Sequence, residues 1–331
     1  MIKKDAEQKG RNIAFDLLRI VLTFLVVNIH IRVISRGPIN FLEPYGYYSV
    51  PLFMALSFFL MNKYFSQNKL SFSIIWRRIQ RLLLPLIFWS SVGFLLKPIL
   101  INIGNVCLQF FTGKVVDTPL YYLNILICLT IIFWMITYLP SKYRVPLNIS
   151  IILVAIILEY SGINTHYFNL TIVEIRKSYG QIVELIKYAS LGMLFAGLVY
   201  QNKKRVILFS LAGSTLFLLS VFKFPQPWGY NYSGLKLFLG TIFVLSSVLL
   251  IGPINFPEKI KKAIHIIGGY SFGVYLCHII FFEALLKAFP NIKYFNNLFP
   301  FQFLFIYTLG CFAFCYLFDL LTFKKFSFLV K

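Results

Sequence analysis

Asp16, Arg19 and His30 all fall in the first apolar run of the chain, RNIAFDLLRIVLTFLVVNIHIRVI from Arg11 to Ile34. An imidazole has an ordinary pKa of about 6.5, so it can take a proton from a hydroxyl at neutral pH and act as a general base. A carboxylate three residues before a guanidinium can steady it. On a helix, Asp16, Arg19 and Thr23 fall within roughly 60° of one another, on the face that carries His30. Arg19 and His30 then lie about 16 Å apart along that stripe. A charge near the centre of a bilayer costs about 2.5–3.5 kcal/mol on insertion scales. A lone histidine there often does no more than fix packing. Three polar groups on one face favour catalytic work, with His30, Asp16 and Arg19 as the candidate catalytic residues.

Two further stretches carry candidate chemistry. In WRRIQRLLLP, Trp76 to Pro85, the side chains of Arg77, Arg78 and Arg81 can grip phosphate through bidentate hydrogen bonds. Together with Arg19 they form a candidate cofactor-binding set, and Pro85 sits where the next span would start. In GGYSFGVYLCHIIFFE, Gly268 to Glu283, the residues Ser271, Tyr275 and His278 share a helical face. They are candidates for substrate binding. Gly268, Gly269 and Gly273 would let another helix approach closely. Glu283 and Lys287 have the spacing of a neutralising pair. Glu43, Glu159 and Glu174 are weaker candidates for contact with a polar acceptor.

The elements that must position these residues are membrane helices. Of the 331 residues, 59% are apolar and 13% charged, and the mean hydropathy is +0.77. Soluble domains usually carry about 25% charged residues. A net charge of +21 would raise nucleic acid as a partner in a soluble protein. Here the charges lie between apolar runs, so the partner they imply is the lipid bilayer, and no nucleic acid is expected. The five cysteines, Cys107, Cys128, Cys277, Cys311 and Cys315, lie mostly in apolar runs without metal-type spacing, and read as packing residues rather than metal ligands. No cleavable signal pattern follows the first apolar run.

Ten spans are expected, at about 12–34, 46–62, 82–101, 119–139, 147–161, 183–200, 206–222, 233–252, 268–289 and 299–321. With the N-terminus in the cytoplasm, 20 of the 32 Lys and Arg residues fall in inside segments and seven in outside ones. This is the positive-inside bias. The fold expected is therefore an all-α polytopic membrane bundle of about ten helices with both termini cytoplasmic. It forms a single domain over 1–331, with cytoplasmic tails at 1–10 and 322–331.

At these residues the chain resembles the acyltransferase-3 family of integral membrane acyltransferases, over about 11–321. The resemblance is carried by R-N-I-A-F-D-L-L-R opening the first span, Arg19 followed by His30, the R-x-x-R of Arg78 and Arg81, TPLYYL at 118–123, and Y-S-F-G-V-Y-L-C-H at 270–278. It implies ten helices and transfer of an acyl group, most often acetyl, from a coenzyme A thioester. The acceptor it implies is a sugar hydroxyl of a surface glycan or its lipid-linked precursor. It implies that His30 is the catalytic residue and that Arg19, Arg78 and Arg81 are required. Acetyl-CoA is then a co-substrate, and a bacterial inner membrane is the expected location. The chain departs from the family pattern at Ser57–Phe58, where relatives usually have Ser-Gly. It departs again at Asp319, where they often have a Glu-x-Pro-like end.

The rival reading is transport: a flippase or exporter of a glycan or lipid-linked sugar without acyl transfer. Transporters often carry internal repeats and interrupted helices, and no repeat is evident here. A polysaccharide polymerase would be expected to carry a large outer loop, which the short connections do not supply.

Overall fold

A computed structural model describes residues 12–35, 42–67, 72–96, 120–160, 173–201, 203–223, 234–251 and 255–331. The helices are α1 (Ile13–Ser35), α2 (Glu43–Gly46), α3 (Ser49–Gln67), α4 (Phe72–Leu96), α5 (Tyr121–Ile136) and α6 (Ser141–Tyr160). They continue with α7 (Val173–Gln201), α8 (Lys203–Lys223), α9 (Leu235–Ile251), α10 (Glu258–Ala288), α11 (Ile292–Leu298) and α12 (Pro300–Leu321). A 3-10 turn at Ser327–Leu329 follows. Among the described residues there is no strand.

A long helix lies at each of the ten expected spans. Among the described residues four stretches, Ile13–Ile31, Lys142–Tyr160, Glu258–Ala288 and Pro300–Leu321, are long and apolar enough to cross a membrane by length and composition. Shorter apolar helices lie at Ser49–Phe65, Tyr121–Ile136 and Leu235–Ile251. Three helix starts lie about ten residues before expectation, α7 at Val173 rather than near 183 among them. α4 begins at Phe72 rather than near 82, and α10 at Glu258 rather than near 268. In both, the polar start of the helix is basic. Hydropathy finds where a helix becomes apolar, whereas backbone hydrogen bonding continues into the polar zone. Arg77, Arg78 and Arg81 are therefore helical, and Pro85 lies inside α4 rather than at its first turn.

Small residues set the closest packing. α3 packs most extensively on α7, and α10 on α1. Ala55, Ala189 and Ala196 are buried at this first seam. A Cβ on Gly192 would stand 2.1 Å from the Ala55 carbonyl oxygen, so the two backbones touch there. Gly192→Ala is expected to destabilise the protein by about 1–3 kcal/mol, since a backbone atom and not a flexible side chain must move. A lowered thermal unfolding midpoint in detergent would report it; an unchanged midpoint would contradict this packing.

A second tie is electrostatic. Lys187 on α7 is wholly buried and pairs with Glu159 on α6. Glu159 Oε2 also accepts a hydrogen bond from the Gly234 N–H at 3.3 Å, where the backbone has a φ of +114°. A buried lysine needs such a partner. The side chains of Glu43 and Glu174, and all of Cys107, lie outside the described residues. Cys277, Cys311 and Cys315 are buried, with the sulfurs of Cys277 and Cys315 3.8 Å apart.

Candidate active site

Asp16 is fully buried on α1 because α10 presents Gly268 to it; a Cβ on Gly268 would stand 2.7 Å from Asp16 Cβ. Two described residues meet its carboxylate. Oδ1 accepts from Arg19 Nη1 at 3.3 Å, and Oδ2 lies 2.6 Å from His265 Nδ1 on α10. The Asp16–Arg19 spacing is thus a contact. His265 is a partner that sequence reasoning missed. A carboxylate in an apolar helix was the available signal that a second donor was needed, but nothing in one sequence points to residue 265. Thr23 donates its hydroxyl to the Arg19 carbonyl at 2.8 Å, which satisfies it within α1.

Arg78 is held from two sides. Its Nη2 donates to Ser57 Oγ at 2.7 Å on α3, and its Nε to Thr130 Oγ1 at 3.4 Å on α5. Its guanidinium lies 5.9 Å from the centre of the Phe58 ring. The Ser57–Phe58 pair, where the chain departs from the family pattern, therefore forms the seat of this arginine. Arg77 and Arg81 flank it and are exposed.

These residues meet around one cavity of about 780 Å³. Its wall includes Arg19, Arg77, Arg78, Arg81, Ser271 and Tyr275. Lys331 is a fifth cationic side chain on that wall, and no Asp or Glu is among the lining residues. Low-dielectric walls bearing charge of one sign concentrate an oppositely charged ligand. At one side of the cavity, Tyr275 packs against Tyr122 (ring centres 5.4 Å apart) and Phe53 (6.2 Å).

Behind Tyr275 lies a pair of histidines. The rings of Tyr275 and His278 are 6.1 Å apart, and those of His278 and His30 are 5.1 Å apart. Neither histidine is among the cavity-lining residues. His278 Nδ1 is 3.0 Å from the Val274 carbonyl oxygen, and a carbonyl can only accept. Nδ1 therefore carries the hydrogen, and Nε2 keeps its lone pair. Among the described residues Nε2 is buried without a hydrogen-bond partner, as is Ser271 Oγ. The fold thus brings together the α1 stripe, the arginine run and the α10 face. Arg19, the arginines, Ser271 and Tyr275 share the cavity; His30 and His278 share a site next to it. Among the described residues no group of three or more His, Cys, Asp or Glu side chains could hold a metal ion.

A family model described as an acyltransferase domain matches residues 12–320. A protein of Acidianus two-tailed virus named "Putative acetyltransferase ORF330" is 22% identical over 294 residues, covering 86% of this chain and 87% of its own length. No solved structure matches the chain.

Proposed function

This chain belongs to the acyltransferase-3 family, and from that premise we propose that it moves an acetyl or similar short acyl group from cytoplasmic acyl-CoA to a hydroxyl of a cell-surface polysaccharide or its lipid-linked precursor. The observation that carries this reading is a cavity lined by five cationic side chains and no Asp or Glu, whose aromatic wall touches a histidine pair. A phosphate-bearing donor suits the first part, and proton transfer from a hydroxyl suits the second.

The donor's phosphates rest on Arg77, Arg78, Arg81 and Arg19, and its thin arm passes the Phe53–Tyr122–Tyr275 wall towards His30. Asp16 and His265 hold Arg19 in place. Ser271, Tyr275 and His278 orient the acyl group or the acceptor. His30 takes the hydroxyl proton as the acceptor oxygen attacks the thioester carbonyl. The tetrahedral adduct collapses, the carbon–sulfur bond breaks, and the leaving thiolate takes the proton from the imidazolium. The chain works as a ten-span protein of a bacterial inner membrane, with its basic ends on the cytoplasmic side, where acyl-CoA is available. Such an arrangement acylates an outer acceptor without exporting CoA.

The test is purified protein in lipid nanodiscs with acetyl-CoA labelled in the acetyl group, together with NMR of surface glycan from cells with and without the gene. Label on glycan and a gene-dependent acetyl signal are expected. Glycan movement across the bilayer with neither acetyl-CoA turnover nor acetylation would replace this reading with transport. His278→Phe keeps the ring packing and removes the lone pair at Nε2. It is expected to lower turnover about ten-fold, at the cost of roughly one hydrogen bond, with donor affinity unchanged. Full turnover would limit His278 to packing.

A further inference from the structure

The segment after α12 packs back into the bundle instead of trailing away from it. The chain reverses through Phe323 and Lys324, with φ of 51° and 62°. Non-glycine residues hold that left-handed conformation only where their surroundings fix it. Several contacts do so. Trp89 Nε1 on α4 donates to the Leu329 carbonyl at 3.1 Å. The Val330 backbone lies against Gly273 on α10, so closely that a Cβ there would stand 2.4 Å from the Val330 oxygen. Gly273 thus admits this segment rather than a neighbouring helix. Asp319, buried near the end of α12, accepts hydrogen bonds from Ser327, Tyr270 and Lys331.

The outcome is that Phe328 and Lys331 join the cavity wall beside Arg19 and the α4 arginines. The Lys331 ammonium lies 4.7 Å from the centre of the Tyr270 ring and pairs with Asp319. Burial pulls its pKa down, but hydrogen bonds to Asp319 and Tyr270 outweigh this and hold it above the ordinary lysine value. An ammonium has three N–H donors, and the contacts with Asp319 and Tyr270 leave one for a ligand. Its side chain keeps 39% of its surface accessible.

We propose that Lys331 is a binding residue for the phosphate-bearing head of the donor, and that residues 326–331 are a strap, anchored by Asp319, that closes this wall of the cavity. The inference rests on the cavity being the acyl-CoA site. Asp319 acts as a positioning residue, since it touches Lys331 and not the cavity.

The experiment uses the full chain in nanodiscs with CoA as the probe, read by calorimetry and steady-state kinetics. Lys331→Gln is expected to weaken CoA binding and raise the KM for acetyl-CoA about ten-fold, with a smaller change in kcat, the loss of one charge-assisted hydrogen bond. Lys331→Arg is expected to restore most of it. Unchanged CoA affinity in Lys331→Gln, alongside tight binding by the parent protein, overturns the strap alone. No CoA binding by the parent protein overturns the donor reading and the strap with it. Amine labelling of the unaltered protein gives an answer that does not depend on a variant folding. CoA is expected to slow modification of Lys331 several-fold and leave Lys324 and Lys325 unaffected; equal labelling of Lys331 with and without CoA overturns the proposal.

Discussion

Replacing His30 by alanine is expected to lower acyl transfer by about 10²–10⁴-fold, the range that a positioned general base contributes. Binding of CoA is expected to persist, because His30 is not among the residues lining the cationic cavity. This separation is what makes the prediction sharp. The arginines and Lys331 surround one volume, and the histidine pair lies beyond the ring of Tyr275. Losing a cavity arginine should act on KM, and losing His30 should act on kcat. The assay is acetyl transfer to glycan by NMR, with CoA affinity measured on the same preparation and membrane insertion checked by detergent extraction and gel filtration. A well-inserted His30→Ala protein that acetylates normally would sink the base assignment. A variant that loses CoA binding as well would place His30 inside the donor site rather than next to it.

The α1 stripe could be read from the sequence because a charge in an apolar helix costs too much to be incidental. Asp16 and Arg19 do touch, and Asp16 and Thr23 are buried. Among the described residues a helix at each expected span was legible because long apolar runs fold as helices. Their polar starts were not: α4 and α10 each begin about ten residues before the apolar part, which moved the arginine run from a connecting segment onto a helix. Contacts between distant positions were illegible for a different reason. His265 meets Asp16 across 249 residues, Arg78 meets Ser57 across 21, and Trp89 holds Leu329 across 240. Each depends on which helix faces which, and short connections leave many pairings open. Glu159 shows the same limit. Its sequence position suggested an outer carboxylate, and its partner Lys187 lies on the next helix. The residues after α12 read as a basic tail; only packing against Gly273 and Trp89 turns them into part of the cavity wall.

The second large effect is expected at Arg78. Arg77 and Arg81 are exposed, so their ionic contacts with a donor should be weak and screened by salt. Arg78 differs because its Nη2 and Nε are tied to Ser57 and Thr130 while it lines the cavity. A guanidinium fixed in this way, with Nη2 donating also to the Ser57 carbonyl at 3.4 Å, has given up its rotamer freedom before the ligand arrives, and its Nη1 N–H groups remain to meet a phosphate. Arg78→Ala is expected to weaken CoA binding by about 10–100-fold, the worth of hydrogen bonds to a charged group, and to leave the Ser57 and Thr130 hydroxyls without this partner. Arg78→Lys should recover little, since a lysine cannot reach both Ser57 and Thr130 and still direct an N–H to a phosphate. Arg81→Ala should cost only a few-fold, and that loss should vanish as salt is raised. Calorimetric CoA titrations at low and high ionic strength test the contrast, with Ser57→Ala as a probe of the seat itself. Equal, salt-sensitive losses at Arg78 and Arg81 would show that the three arginines act only as a diffuse positive field, and the preorganised phosphate seat would have to be abandoned.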